Sequence, residues 1–462
     1  PNTYTPPSEA IEGKKAVTVG TNAVSVKRGA GKDDIIVQLA IDYDSTDKKA
    51  EKDYIRLTPL KKDDTGYLQP MNEKIFTLSG PSVYGKLDTR AMRSVTAMTA
   101  LDMDGDGMDE LALYIADPAR PRIQLFRVTD AGIEDYFTDE NAWEKNVIDL
   151  SKLNAPEDPY QFNKGYGGSS VPIVGLASAN MANAKTEDLV ITVCTPSAAG
   201  GDNTRSFKSA VGIYRLSAEQ GPENQFLTHL EYADETSGAA LCMRYVSAQE
   251  VDADGNGTKE LALGGYNADV SAGQLSDYAL NFIIWENDSY HLLYNTPFFF
   301  SSGNMPGKTA REQFAMTGPA ALTGARLSAA SDKDYLLLEN AVLAFKPKDT
   351  QTDANPRDKY AELRSGSFEI KKEVSSNNSD KQGGGSYIVQ AVSGRFAAGS
   401  ESGEQIALVL ADCPAASANH NEISLSINWL WMEGGNVAQQ STNPEYVKQS
   451  DANSCGTSVI LC

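Results

Sequence analysis

A pattern that returns six times limits what this chain can fold into more than any other property. Taking the first apolar residue after each polar loop as anchor, β-prone stretches begin at Ile35 in KDDIIVQLA, Leu111 in DELALYIA and Leu189 in EDLVITVC. The series continues at Leu261 in KELALGGY, Tyr335 in KDYLLLEN and Ile406 in EQIALVLA. Successive anchors lie 76, 78, 72, 74 and 71 residues apart, which is room for one four-stranded sheet with long connections.

Each anchor is preceded by another β-prone stretch, such as SVTAMTAL or VPIVGLAS, and followed by a third, such as IQLFRV, VGIYRL, NFIIWEN, AVLAFK or INWLWME. SYHLLYN and SFEIKKEV read as fourth strands. Helical periodicity is scarce, so the expected fold is all-β, a β-propeller of four-stranded blades, six or seven in number. A β-sandwich array fits less well, because a sandwich needs more strands per unit. The expected organisation is a linker over 1–15, a propeller over 16–453 and a closing strand, or the start of a truncated seventh blade, over 454–462. The six repeats are placed at about 16–90, 91–165, 166–240, 241–313, 314–385 and 386–453.

Two of the loops carry chemistry. LDMDGDGMDELAL at 101–113 and VDADGNGTKELAL at 251–263 share the spacing of their polar residues, a Gly pair and an exit into a strand. Crowded carboxylates repel one another unless a hard cation lies among them, and calcium takes six to eight oxygen ligands from flexible loops. The donors expected in the first loop are the side chains of Asp102, Asp104, Asp106 and Glu110 with the Met108 carbonyl. In the second they are Asp252, Asp254, Asn256 and Glu260 with the Thr258 carbonyl. An EF-hand needs a Glu at loop position twelve and flanking helices. Leu113 and Leu263 occupy that position, and strand-like LALYIA and LALGGY follow, so an EF-hand is excluded. A solvated Asp/Gly turn is the bland alternative, and magnesium is the weaker cation because it demands stricter octahedral geometry.

These two loops resemble the calcium loop of FG-GAP or VCBS-type repeats, the units of integrin-like β-propellers. The resemblance implies that the loop joins the first strand of a blade to the second and binds calcium through side chains at positions 1, 3, 5 and 9 and a carbonyl at 7. Those are the donors named above. The match is specific in two of six units. The third loop presents Asn180, Ala182, Ala184 and Asp188, the sixth Ala397, Gly399, Glu401 and Gln405, and the first Val26, Arg28 and Ala30. These three are expected to fold without metal. The first calcium loop, with five acidic residues, is expected to bind more tightly than the second, where Lys259 offsets three.

Composition removes several functions. With 41 Lys+Arg against 62 Asp+Glu, the net charge of −21 repels nucleic acid and anionic membrane surfaces. No apolar run approaches the length of a spanning helix. Five cysteines form no CxxC or Cys/His pattern, so zinc is not expected; Cys455 with Cys462, or Cys194 with Cys413, are open pairings. The histidines His229, His291 and His420 sit in no triad, and 303-GNMPGKT-309 is one residue short of a phosphate loop. Trp143 lies in a polar connection, as an exposed contact or folded over a blade, and 164-KGYGGSSV-171 is a connection able to face a ligand.

The chain opens at Pro1 without a charged-then-apolar leader and ends in apolar SVILC, read as a removed signal peptide or a fragment. The resemblance and the acidity imply a non-enzymatic, extracellular or surface-attached bacterial module that binds a protein or carbohydrate on one propeller face. The alternatives are a scaffold domain of a larger secreted or toxin-like protein, and a calcium-dependent polysaccharide lyase.

Overall fold

A computed structural model of the chain describes residues 16–44, 53–78, 96–117, 120–140, 142–153, 172–182, 184–194, 209–233, 240–269, 274–294, 297–300, 320–348, 358–374, 385–396, 403–413, 422–441 and 445–448. Within them the chain is all-β, built as six antiparallel sheets taken in chain order. Helix is confined to short pieces such as α1 (Ala142–Lys145) and α2 (Ala361–Ser365).

The first sheet holds β1 (Ala16–Val26), β2 (Ile35–Asp44), β3 (Asp53–Lys62) and β4 (Leu68–Pro70), with β5 (Lys74–Thr77) also on β3. The second holds β6 (Met98–Leu101), β7 (Glu110–Ile115), β8 (Arg122–Thr129), β9 (Gly132–Asp135) and β10 (Val147–Asp149), the last two both paired with β8. The third runs β11 (Ile173–Ala179), β12 (Asp188–Cys194), β13 (Ser209–Ser217), β14 (Gly221–His229). The fourth runs β15 (Glu231–Ala233), β16 (Ala240–Val251), β17 (Glu260–Asp269), β18 (Gln274–Glu286), β19 (Ser289–Leu292), with β20 (Phe298–Phe300) on β18. The fifth is β21 (Leu322–Ala325), β22 (Tyr335–Leu338), β23 (Ala341–Lys346), β24 (Ser367–Glu373). The sixth is β25 (Gly385–Gly394), β26 (Gln405–Cys413), β27 (Glu422–Glu433), β28 (Asn436–Ser441), with β29 (Glu445–Lys448) on β27. Strand β15 thus joins the fourth sheet, ahead of the boundary expected at residue 240.

The second strand of each sheet explains the stacking. All six residues of β7 and all seven of β12 are buried, because these strands are covered on both faces and so read as continuous apolar runs rather than as alternation. The cover comes from neighbouring sheets. One apolar cluster joins Val26, Leu39 and Ile55 to Leu111, Leu113 and Leu125, and others bridge the third to the fourth, the fourth to the fifth and the fifth to the sixth sheet. First strands of consecutive sheets pack pairwise, β1 on β6, β6 on β11, β11 on β16, β16 on β21 and β21 on β25. The arrangement is propeller-like in that consecutive sheets meet through their first strands.

Turn chemistry agrees with this plan. Between β18 and β19, Asn287 and Asp288 take φ of 52° and 58°, and between β27 and β28, Gly434 and Gly435 take 57° and 82°. These are the positive angles that a two-residue hairpin turn requires. Cys194 is buried opposite Ile173 on the neighbouring strand; Cys455, Cys462, His420 and the stretches 164–171 and 303–309 lie outside the described residues.

Candidate cation loops and the joints between sheets

The two acidic loops occupy the same place in their sheets. The first, 102–109, connects β6 to β7, and the second, 252–259, connects β16 to β17. The closing acid pairs across the hairpin with the last residue of the first strand, Glu110 with Leu101 and Glu260 with Val251.

Backbone amides fold each loop around its own carboxylates. In the first, Gly105 and Gly107 donate to Asp102 Oδ1 and Oδ2 at 2.7 and 2.9 Å, Asp106 N–H to Asp104 Oδ1 at 3.1 Å, and Met108 N–H to Asp106 Oδ1 at 2.8 Å. In the second, Gly255 and Gly257 donate to Asp252 at 2.9 and 3.0 Å, Asn256 N–H to Asp254 Oδ1 at 3.1 Å, and Thr258 N–H to Asn256 Oδ1 at 2.6 Å. The glycines make this possible: Gly105 and Gly255 stand at φ of 77° and 80°, where a side chain is strained. Glu110 and Glu260 then reach back to the amides of Met103 and Ala253 at 2.8 and 2.9 Å.

Oxygen atoms converge as a result. One oxygen each from Asp102, Asp104 and Asp106 lie within 4.8 Å of one another, and so do one each from Asp252, Asp254 and Glu260. Burial beside like charges has an electrostatic signature: desolvation first, then neighbouring carboxylates, pushes Glu110 up to about 8, Glu260 to about 9 and Asp254 to about 6. Both causes favour the protonated form and both would be reversed by a cation. Glu260 carries the sharper sign, because it is fully buried and its Oε1 has no hydrogen-bond partner. A buried orphan oxygen costs about 1–3 kcal/mol unless something takes its lone pairs. The donor set is all oxygen, so a hard divalent ion fits it.

The loops differ in detail. Asp104 accepts the Tyr136 hydroxyl at 2.7 Å and has Arg127 at 3.5 Å. Asp109 accepts the Lys27 N–H at 2.8 Å while still feeling the charge of Asp102. In the second loop Asn256 Nδ2 donates to the Lys359 carbonyl, in the turn before α2, at 2.7 Å. Met108 and Thr258 hold the seventh positions, Met108 exposed and bridged to Arg28.

In the third loop the closing acid is paired with a guanidinium. Asp188 occupies the place of Glu110 and Glu260, opposite Ala179. It receives Arg215 Nε and Nη2 at 2.8 and 2.7 Å and the Tyr290 hydroxyl of the fourth sheet. A bidentate Arg–carboxylate pair neutralises the acid without an ion. In the first sheet the hairpin pairs Val26 with Ile35, so the positions matching the donors are Lys27, Gly29, Gly31 and Ile35, one residue beyond those expected.

Sequence reasoning missed a second feature that repeats. The residue after each first strand is tied to the next sheet by the acid that precedes its second strand. Lys27 N–H donates to Asp109 Oδ2 at 2.8 Å and Asp109 N–H returns to the Lys27 carbonyl at 3.0 Å. The same exchange joins Asp102 with Glu187 (3.1 and 2.7 Å), Asp252 with Asp334 (2.8 and 2.8 Å) and Arg326 with Glu404 (2.9 and 2.7 Å). Between the third and fourth sheets Lys259 stands where the acid should, and Asn180 N–H donates to Glu250 instead. Desolvation pushes Asp109, Glu187 and Asp334 up, while their amide bonds pull them down. The signal was available: Asp34, Asp109, Glu187, Asp334 and Glu404 each sit one residue before a second strand.

Of the remaining candidates, Trp143 on α1 is 44% exposed, with Arg122 and Arg120 guanidinium carbons 4.9 and 5.6 Å from its ring centroid. His291 is exposed and bonds Ser289 Oγ at 2.8 Å. No helix among the described residues is long and apolar enough to cross a membrane.

No protein-family model matches the chain, and no curated protein matches it. Solved structures do align with it over most of its length. The exotype rhamnogalacturonan lyase YesX is 11% identical, with a TM-score of 0.38 over 96% of this chain and 67% of that one. A protein from Lactobacillus plantarum is 9% identical, with a TM-score of 0.37 over 91% and 96%. The xylan beta-1,4-xylosidase from Bacillus halodurans C-125 is 11% identical, with a TM-score of 0.29 over 94% and 80%. Likeness this distant carries no functional argument.

Proposed function

We propose that this chain is a β-propeller stapled by two calcium ions, and that it acts outside the cell as a non-catalytic recognition module for a protein or a carbohydrate. The calcium reading is supported by Glu260, fully buried with an orphan Oε1, one carboxylate oxygen of which lies within 4.8 Å of one each from Asp252 and Asp254. Asp252, Asp254 and Glu260, with Asn256 and the Thr258 carbonyl, would hold one ion; Asp102, Asp104, Asp106 and Glu110, with the Met108 carbonyl, would hold the other. A bound ion supplies charge neutralisation and ties a loop, two strands and the adjoining sheet into one unit.

The non-catalytic reading is supported by where the perturbed carboxylates lie. Among the described residues, the six acids pushed upward are Asp109, Glu110, Glu187, Asp254, Glu260 and Asp334. All belong to the cation loops or to the ties between sheets, so their shifts have structural causes. Recognition is then left to exposed surface, of which the Trp143 indole, backed by Arg120 and Arg122, is one aromatic contact. The test is a glycan and protein array probed in calcium, followed by Trp143→Ala on any ligand found. Binding that weakens in the variant supports the reading; turnover of a polysaccharide, or silence across both arrays, contradicts it.

A further inference from the structure

The ties between sheets point to a contact that the five described joints leave open. Each tie has a donor half, the first loop residue, and an acceptor half, the acid before a second strand. Counting along the chain, the donor halves are Lys27, Asp102, Asn180, Asp252, Arg326 and Arg395. The first five are engaged with the next sheet. The sixth, Arg395, is exposed, and so is Asp34, the one acid in an acceptor place that no described tie uses. Asp34 takes only the Ser25 hydroxyl of its own hairpin, at 3.3 Å.

A second observation marks the same seam. The residue after each donor half is buried wherever a next sheet covers it: Arg28, Met103, Met181, Ala253 and Leu327 are all at most 6% exposed. Phe396, its counterpart in the sixth sheet, is 40% exposed and rests edge-on against Trp429, ring centroids 5.3 Å apart. In the other five sheets the next sheet covers this position, and in the sixth nothing among the described residues does.

We propose that the sixth sheet docks on the first through this sixth joint, the Arg395 N–H donating to the Asp34 carboxylate and Phe396 becoming covered by the first sheet, so that six sheets close the ring. The two halves are chemically complementary and share one chain. Their encounter is therefore intramolecular, with an effective concentration that a second copy cannot match at ordinary protein concentrations. Closure also removes the last uncovered sheet face, which is the advantage of radial repetition. The proposal rests on the propeller reading but not on any cation, and it stands whether or not calcium binds.

The test is cysteine pairing in the full chain. Lys27→Cys with Asp109→Cys is the control, placed on a tie that is formed; Asp34→Cys with Arg395→Cys probes the seam. After mild oxidation, linked peptides from the monomer fraction are identified by mass spectrometry, which separates them from the native cysteines. Both pairs should link within one chain. Linkage of the control alone, or of 34 with 395 only between chains, overturns the proposal. Should the control variant fold poorly, melting decides: Asp34→Ala should lower the midpoint about as far as Glu404→Ala does, with Ser25→Ala unchanged. An Asp34→Ala midpoint equal to the parent's would overturn it as well.

Discussion

Replacing Glu260 by Gln separates a cation ligand from a merely buried acid. Gln keeps the acceptor for the Ala253 amide and nearly the same volume, and it removes only the charge. Without calcium, burial holds the Glu260 carboxyl up to about 9, so the side chain is already neutral at pH 7 and Gln stands in for it. The calcium-free midpoint should therefore change little. With calcium at a hundred times its dissociation constant, each site adds about 2.7 kcal/mol. Unfolding entropy of about 2.1 cal/mol/K per residue makes that worth about 3 °C per site for a 462-residue chain unfolding as one unit. The parent should gain about 6 °C from two sites and Glu260→Gln about 3 °C, read by calorimetry in calcium and in chelator. Equal gains in both proteins, or the same loss with and without calcium, would refute the reasoning.

Three further outcomes follow from the geometry. An added Cβ at Gly255 would lie 2.9 Å from the Lys333 amide, whereas at Gly257 it would meet nothing within 4 Å, and both have φ of 80°. Gly257→Ala should cost only the left-handed strain, about 1 kcal/mol, and Gly255→Ala clearly more by denaturant unfolding. Arg215→Ala strands the buried Asp188 carboxylate, and removal of one partner from such a pair costs about 3–5 kcal/mol, reduced here because Arg215 is one-third exposed. Asp188→Asn combined with Arg215→Ala should recover part of that loss. In chelator, Glu110 and Glu260 sit above their unfolded values, to about 8 and about 9. The stability they contribute is complete below about pH 4.5 and is lost as pH rises through those folded values. Calcium competes with the same protons, so the calcium-dependent gain in midpoint should grow over that range.

The repeat, the loop-to-strand plan and the sheet order were legible because the second strands are apolar on both faces and recur at nearly even spacing. The anchor chosen from apolarity misplaced the first loop by one residue, since Ile35 stands where Glu110 and Glu260 stand and hid the true register. Charge counting could not show that the Asp109 carboxylate accepts from Lys27, or that the Tyr136 hydroxyl and Arg127 contact Asp104. Arg215 at Asp188 and the ties between sheets were hidden for a different reason. They join residues 27 to 85 positions apart, and only folding brings them together.

The central claim is that both acidic loops hold calcium. Dialysis against calcium followed by atomic emission should find two bound ions per chain, falling to one in Asp252→Asn and to one in Asp102→Asn. No bound calcium in the parent, or a count that neither substitution changes, would contradict it.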